Sequence, residues 1–206
     1  MLQLVSVSKQ YKKSIILDSV SHTFDTGTTV VIGPSGAGKS TLLRLCATQE
    51  KISDGQIKWD GNPIYQNLKQ FRRILGYAPQ LVELPEDLSA YDFMLHIGAL
   101  KSIKREQCAQ QTKLLFERLG IRDSIYKLIG TYSGGMRRRL VLAQSLLGNP
   151  KCLIIDEPTA ELDTQTATMV NDLIFEKSKD AVVIMTTHLQ SSLEDYSYNL
   201  FEIPKR

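Results

Sequence analysis

The stretch of sequence that decides the fold is Gly33-Pro34-Ser35-Gly36-Ala37-Gly38-Lys39-Ser40-Thr41. It fits the pattern of a glycine, four residues and then Gly-Lys-Ser/Thr. A β-branched run over 28–32 precedes it, and leucines at helical spacing over 40–47 follow it. The sequence therefore predicts a phosphate-binding loop between a strand and a helix.

The residue types in this loop suit the phosphates of ATP. Glycines permit the backbone angles that turn successive N–H groups toward one anion, and the helix start adds partial positive charge. We predict that Lys39 contacts the β- and γ-phosphates and that the Ser40 hydroxyl ligates Mg²⁺. The whole loop from Gly33 to Thr41 is predicted to line the site.

A second apolar strand ends in two carboxylates, at Cys152-Leu153-Ile154-Ile155-Asp156-Glu157-Pro158. In phosphate-loop NTPases a strand-end aspartate helps to hold Mg²⁺, so we assign that role to Asp156. Because adjacent strand residues point to opposite sides, we assign Glu157 a different role, that of accepting a proton from an attacking water. Paired acids at a strand end are also common on a solvated edge. The phosphate-binding loop favours the functional interpretation.

The order of the other elements predicts an α/β fold. Continuous apolar strands with helices between them are typical of a parallel sheet covered on both faces. A helical insertion over roughly 85–131 interrupts this pattern, and Ser89 with Asp92 resembles a capping box at its first helix. The predicted strands are 2–7, 20–24, 28–32, 56–59, 74–78, 152–155 and 181–186, and the predicted helices are 40–47, 90–100, 106–119, 135–147 and 164–178.

Composition and charge exclude several classes of protein. The chain has 206 residues, of which 42% are hydrophobic and 23% charged, and its formal net charge is +3. Such a chain has too many apolar residues to be disordered, and its weak positive charge does not indicate a nucleic-acid partner. The sequence shows no apolar run near the ~20 residues that cross a bilayer. We expect no secretory leader, because the first residues lack a basic segment followed by an apolar run. The three cysteines lack metal-like spacing, so we expect reduced, buried thiols in the cytosol.

Further motifs follow in a specific order and carry a resemblance to a known family. Together with the loop at 33–41 they are Gln80 after Tyr77-Ala78-Pro79, Ser133-Gly134-Gly135, Asp156-Glu157, Ala160-Glu161-Leu162-Asp163, and His188 after Thr186-Thr187. In this order they resemble the nucleotide-binding domains of ABC transporters over essentially the whole chain. The resemblance implies one ABC ATPase domain over 1–206, with an ATP-binding core at 1–84 and 132–206 and a helical subdomain at 85–131. The implied fold is a P-loop NTPase core with a parallel sheet, an N-terminal antiparallel β subdomain and a helical insertion subdomain.

The resemblance also implies a role for each motif. Tyr11 is similar to the aromatic residue that stacks on adenine, although it also fits an ordinary strand aromatic. Gln80 resembles the glutamine that senses Mg²⁺ and the attacking water, Glu157 the general base, and His188 the histidine that contacts the γ-phosphate. Ser133, Gly134 and Gly135 would bind the γ-phosphate of ATP held by a second subunit, and Asp163 belongs to the loop at the dimer interface.

The signature at 132–136 departs from the usual Leu-Ser-Gly-Gly-Gln of the family. Tyr132 replaces leucine and Met136 replaces glutamine, a form similar to ATPases of ABC-2-type exporters. Arg137, Arg138 and Arg139 follow about 100° apart around a helix, so we interpret them as a solvated surface rather than a nucleic-acid patch.

The resemblance implies an ATP- and Mg²⁺-dependent subunit of an exporter. We expect a homodimer that works with separate transmembrane permease subunits, in the cytoplasm at the inner face of the cell membrane. A non-transport ABC ATPase, acting on ribosomes, DNA or cofactor assembly, is the main alternative. A small-molecule kinase would explain the phosphate-binding loop but leaves Ser133-Gly134-Gly135 and His188 without a role.

Overall fold

The computed structural model of the protein describes residues 1–12, 14–81, 83–188 and 190–204, which form two β-sheets and six α-helices. The strands are β1 Leu2–Tyr11, β2 Ser14–Phe24, β3 Gly27–Ile32, β4 Asp54–Trp59, β5 Asn62–Pro63, β6 Leu75–Ala78, β7 Cys152–Asp156, β8 Val182–Thr186 and β9 Asn199–Glu202. The helices are α1 Lys39–Cys46, α2 Leu68–Ile74, α3 Ala90–Leu100, α4 Arg105–Arg118, α5 Gly134–Leu146 and α6 Thr164–Ser178.

The larger sheet has the strand order β6-β7-β8-β3-β9, and all of its strand pairs are parallel. Every residue of β7 and β8 is buried. Alternate residues of each strand pack into different cores, because Leu153 and Ile155 join one cluster while Cys152 and Ile154 join the other. The sheet is therefore covered on both faces, as its continuous apolar strands predict.

The smaller sheet is antiparallel, with the order β2-β1-β4-β5. Leu2 on β1 pairs with Phe24 on β2 and with Trp59 on β4. Gly55 opens β4 at φ +87°, where a Cβ atom would overlap the carbonyl group of Ser6 on β1. Only glycine fits this close approach, which explains the Asp-Gly turn in the sequence.

The helices α3, α4 and α5 lie between β6 and β7 in the sequence, and they pack against one another as one helical layer. The Ser89 hydroxyl accepts a hydrogen bond of 3.0 Å from the Asp92 amide, so α3 begins at Ala90 as the capping pattern predicts. The helix α5 packs directly on β6, because a Cβ atom at Gly76 would overlap the carbonyl oxygen of Ser145. This contact joins the helical layer to the edge of the parallel sheet.

The predicted fold class is confirmed: a parallel P-loop core, an N-terminal antiparallel sheet and a helical insertion. Several element boundaries were wrong. β1 and β2 extend to Tyr11 and from Ser14, well beyond the short predicted segments. The helix α2 was missed because it has only 7 residues, so the apolar spacing of Leu68, Phe71 and Ile74 extends over only about two turns. The edge strand β9 was missed for the same reason, since it has only 4 residues.

In the described part of the chain, no helix combines the length and apolarity that a membrane span requires. All three cysteines are buried free thiols, as expected. Burial raises the pKa of Cys46 to about 12, so its thiol stays protonated and unreactive.

Candidate active site

A cleft of about 250 Å³ lies where the carboxyl ends of the central parallel strands meet the start of α1. Its walls come from four segments that are distant in sequence. The lining residues are Ser35, Gly36, Gly38, Lys39, Ser40, Thr41, Gln80, Asp156, Glu157 and His188. The carboxyl edge of a parallel sheet is where α/β proteins place their ligands.

The phosphate-binding loop joins β3 to α1. Gly38 has φ +95°, and a Cβ atom there would come within 3.0 Å of the side chains of Ile16 and Leu17 on β2, so glycine is required on two grounds. The Lys39 ammonium lies across the loop and donates to the carbonyl oxygens of Gly33, at 2.8 Å, and Pro34, at 3.1 Å. The loop and helix start thus bring N–H groups and a cation to one point, which suits a polyphosphate.

Thr186, at the end of β8, links the two carboxylates at the end of β7. Its hydroxyl donates a hydrogen bond of 2.6 Å to Oδ1 of Asp156 and accepts one of 3.1 Å from the amide of Glu157. Asp156 and Glu157 are both buried. Since a buried carboxylate needs hydrogen-bond partners, the Thr186 hydroxyl stabilises Asp156 at the floor of the cleft.

Glu157 has an unusual backbone conformation, with φ +54°. Non-glycine residues in this region cost about 1–3 kcal/mol and persist only when their surroundings hold them. The side chain is 9% exposed, and its carboxylate accepts a 3.1 Å hydrogen bond from the His188 amide and lies 3.3 Å from the His188 Nε2 atom. The His188 side chain is 72% exposed, so it forms the open rim of the cleft. A buried carboxylate that faces an open cleft suits a general base.

The Arg138 side chain of α5 contacts the same edge of the sheet. Its Nη1 atom donates to the carbonyl oxygens of Pro79, at 2.7 Å, and Gln80, at 2.9 Å. Its Nη2 atom donates to the carbonyl oxygens of Asp156 and Glu157. Burial lowers the pKa of the Arg138 guanidinium, while nearby carboxylates raise it, and the group stays charged.

The polar groups of the cleft fit a bound Mg²⁺ ion. The cleft contains the hydroxyl of Ser40, the amide of Gln80 and the carboxylate of Asp156. These are oxygen donors of the kind that Mg²⁺ prefers, and it binds through few protein ligands together with substrate phosphates. When bound with ATP, the ion would neutralise charge that develops on the phosphates.

The residues Ser133, Gly134 and Gly135 lie outside this cleft. They form the start of α5, where the Ser133 hydroxyl accepts a 3.3 Å hydrogen bond from the Met136 amide. Ser133 and Gly134 are exposed. Asp163 is exposed at the start of α6, and hydrogen bonds from Thr166 lower the pKa of its carboxyl group. Neither helix start contributes to the lining of the chain's own cleft.

Tyr11 also lies outside the cleft. It ends β1, its hydroxyl donates to the Glu50 carboxylate, and the Lys9 ammonium lies 4.7 Å from its ring centre. A second cleft of about 500 Å³ adjoins the phosphate-binding loop, and it is lined by apolar residues that include Ile16, Val20 and Ile203. Stacking of adenine on Tyr11 therefore stays a prediction, and the cleft beside Ile16 is a second possible location for the base.

The interpretation of three arginines as a solvated surface was wrong. Arg137, Arg138 and Arg139 are all partly buried, and each binds main-chain carbonyl groups. Arg137 binds the Tyr132 carbonyl and the Glu86 carboxylate, and Arg139 binds the carbonyls of Leu119 and Gly120. Because the three residues point in different directions around α5, each anchors a different neighbouring segment.

Sequence reasoning missed two residues of the site, Thr186 and Arg138. A threonine that ends a buried strand is unremarkable in a sequence, and only the pairing of Asp156 with Thr186 across β7 and β8 reveals its role. The position of Arg138 on the inner side of α5 could have been inferred from helical phase, since Val141 and Leu142, three and four residues further along the helix, are both buried.

The parallel sheet, the phosphate-binding loop after β3 and the acidic end of β7 define the class of this protein: a P-loop nucleotide-binding ATPase domain. Residues 17–160 match the family described as ABC transporter, which is more than half of the chain. The chain therefore belongs to the ABC transporter family and is one of its ATP-binding cassettes.

Two relatives and one solved structure illustrate the similarity. The chain is 34% identical over 195 residues to "Uncharacterized ABC transporter ATP-binding protein YxlF" of Bacillus subtilis, covering 94% of this chain and 64% of that protein. It is 31% identical over 199 residues to "Nod factor export ATP-binding protein I" of Cupriavidus metallidurans, again covering 94% and 64%. The chain thus spans less than two thirds of the length of these relatives.

The fold also matches a structure titled "Dimeric structure of a post-hydrolysis state of the ATP-binding cassette MJ0796 bound to ADP and Pi". The TM-score is 0.85 at 22% sequence identity, and the match covers 100% of this chain and 97% of the other.

Proposed function

We propose that this chain binds Mg²⁺-ATP in the cleft, hydrolyses it, and serves as the ATPase subunit of an ABC exporter. The observation that carries the proposal is the pair Glu157–His188, a buried carboxylate and an exposed imidazole 3.3 Å apart beside the phosphate-binding loop. The printed name of the Cupriavidus relative, a Nod factor export protein, supports the outward direction.

The chain's own residues supply the steps of hydrolysis. The loop amides and Lys39 bind the phosphates, and Ser40, Gln80 and Asp156 hold Mg²⁺. Glu157 accepts a proton from the water that attacks the γ-phosphate, and His188 at the open rim contacts that phosphate. Because Glu157 is fixed through its amide, carbonyl and carboxylate groups, no reorganisation is needed at the moment of reaction.

The position of the second anion site supports the proposed homodimer. Ser133, Gly134 and Gly135 form a helix start that does not line the cleft of their own chain. If this helix start faces the ATP of a second copy, its free N–H groups and its partial positive charge bind the γ-phosphate. The solved cassette with the same fold carries the word dimeric in its title, which supports this arrangement.

A groove that is lined in part by Pro79 and Leu81, the neighbours of Gln80 in sequence, supports docking of a membrane subunit. We call it the docking groove; its volume is about 1070 Å³, and it lies between the core and the helix α3. Leu81 and Leu100 in its wall are 88% and 79% exposed. Its charged lining consists of Arg44, Lys69, Arg72, Arg73, Lys101 and Glu83. Exposed leucines with mainly basic residues favour an acidic, amphipathic segment of a permease.

We propose that the core at 1–84 and 132–206 and the helical part at 85–131 act as separate units in this cycle. ATP closes two copies over their shared sites, and hydrolysis reopens them. The docking groove borders both parts, so a change in the angle between them would be transmitted to a permease bound in the groove. In this proposal the chain works in the cytoplasm, held at the inner face of the membrane by its partner.

The substitution Glu157→Gln tests the function directly. We expect ATP binding within about twofold of the wild type, a loss of turnover of about 100-fold or more, and an ATP-bound dimer on gel filtration. The matched control is Glu106→Gln, an exposed glutamate in the first turn of α4 and outside the cleft lining. Full turnover by Glu157→Gln would refute the assigned base, and absence of turnover in the wild type would refute the ATPase itself.

A further inference from the structure

Arg138 is the only described residue of α5 whose side chain reaches two loops of the cleft at once. Its guanidinium donates to the carbonyl oxygens of Pro79 and Gln80 after β6, and of Asp156 and Glu157 at the end of β7. These four carbonyl groups lie at strand ends, where the regular hydrogen bonding of the sheet stops. A planar group with five N–H donors can satisfy them together.

The position of Arg138 on α5 connects these loops to the second anion site. Ser133 caps α5, and Arg138 lies little more than one turn further along the same helix. A displacement of the helix start toward a bound phosphate would therefore move the guanidinium as well. Both loops that it holds carry residues of the cleft, Gln80 and Glu157.

The backbone of Glu157 depends on this contact. Its φ of +54° is one that a glutamate rarely adopts, and two groups hold the residue from opposite sides. Thr186 accepts from its amide, and Arg138 donates to its carbonyl. Together they fix the direction in which the Glu157 side chain projects from the backbone.

We propose that Arg138 is a positioning residue, which sets the orientation of Glu157 and Gln80 as one unit and couples both to the Ser133 end of α5. The inference rests on the proposed function, because it assigns Arg138 an effect on the base at Glu157. Arg138 does not contact ATP in this scheme. It acts on the rate of hydrolysis and leaves nucleotide binding to the phosphate loop.

Arg138→Lys is the most informative substitution. Lysine keeps the positive charge but offers a single ammonium, which cannot span two pairs of carbonyl groups. We expect kcat for ATP hydrolysis to fall by about tenfold or more, with KM and the Kd for ATP within about twofold. The matched control is Arg137→Lys, whose acceptors are Tyr132, Gly130 and Glu86, and it should retain near-normal kcat.

Hydrogen exchange supplies a readout that does not depend on turnover. The amide of Glu157 donates to Thr186, and the amide of His188 donates to the Glu157 carboxylate. Both amides should exchange faster in Arg138→Lys than in the wild type and in Arg137→Lys, while amides within β7 and β8 stay protected.

The outcomes separate the two proposals. Unchanged kcat and unchanged exchange in Arg138→Lys would overturn the positioning role, as would an equal loss in Arg137→Lys or an equal weakening of ATP binding. If Arg138→Lys fails to fold, Arg138→Gln, which keeps two N–H donors, is measured in the same way. Faster exchange at Glu157 in a protein without ATPase activity would support the positioning of Glu157 and refute the proposed function alone.

Discussion

The hydroxyl of Thr186 donates a 2.6 Å hydrogen bond to the Asp156 carboxylate and accepts one from the amide of the next residue, Glu157. One side chain of β8 thus holds both acidic residues at the end of β7. Thr186 is fully buried, so water does not compete with its hydroxyl for these two hydrogen bonds. The two acids differ in role but share this support.

The substitution Thr186→Val should weaken the hydrogen bonding that holds Asp156 and Glu157 in place. Valine has a similar shape but no hydroxyl, so the Asp156 carboxylate and the Glu157 amide would each lose a buried partner, at about 1–3 kcal/mol for an unsatisfied group. We expect a lower melting temperature and a fall in kcat of about tenfold. Thr186→Ser keeps the hydroxyl and should retain most activity. A valine variant with wild-type kcat would contradict this account.

Negative charges introduced into the docking groove should block binding of the permease and leave nucleotide binding unchanged. We expect Leu100→Glu combined with Arg73→Glu to abolish binding to a purified multi-span membrane protein encoded beside this chain. Nucleotide affinity should stay within about twofold, because neither residue lines the cleft. Leu114→Glu, at an exposed leucine outside the groove, is the control. Equal loss of binding in Leu114→Glu would count against the groove.

Lys101 should make stability depend on pH. Burial lowers its pKa from 10.5 to about 8, although its ammonium donates to the Leu147 carbonyl at 2.8 Å. Between pH 8 and pH 10.5 the unfolded chain keeps a proton that the folded chain releases, so stability from this group rises with pH. Lys101→Met should therefore be more stable at pH 7, by on the order of 1 kcal/mol after the lost hydrogen bond is subtracted.

Urea unfolding from pH 7 to pH 10.5 measures this effect. The advantage of Lys101→Met should shrink as pH rises, since the wild-type lysine becomes neutral in the folded state first. Lys69→Met, at an exposed position, should change stability by less than about 0.5 kcal/mol. An advantage that stays constant across the range would disprove the assigned cause.

The role of Tyr11 can be separated from its hydrogen bond to Glu50. Tyr11→Phe removes the hydroxyl and keeps the ring, whereas Tyr11→Ala removes both. If adenine stacks on the ring, Tyr11→Ala should raise the Kd for ATP by about two- to tenfold and Tyr11→Phe should not. Ile16→Ala tests the second cleft. Weaker binding in Ile16→Ala alone would move the adenine to the side of Ile16.

The sequence was most informative where chemistry restricts residue choice. Every residue that lines the main cleft, from Ser35 to His188, belongs to a motif that could be recognised before the structure was known. The bounds of α3 were predicted correctly because Ser89 and Asp92 specify a cap. Such local signals survive in a single sequence since they depend on a few neighbouring residues.

Long-range relationships could not be predicted in the same way. The sequence does not state that β8 pairs with both β3 and β7, and the role of Thr186 follows only from that order. Arg138 looked like a surface residue because three arginines in succession suggest solvent, yet the helix turns one of them toward the sheet. Short elements such as α2, with 7 residues, and β9, with 4, contain too few residues for a periodic pattern to be distinguished.

The strand order also constrains how the protein is made. Gly27, before the phosphate-binding loop, pairs with Val182 on β8, and Asp156 pairs with Thr186 on the same strand. A nascent chain that has reached residue 160 already contains the loop and both acids but lacks the strand that joins them. The nucleotide site can therefore be completed only after synthesis of β8, and premature termination before that point leaves apolar strand edges exposed to aggregation.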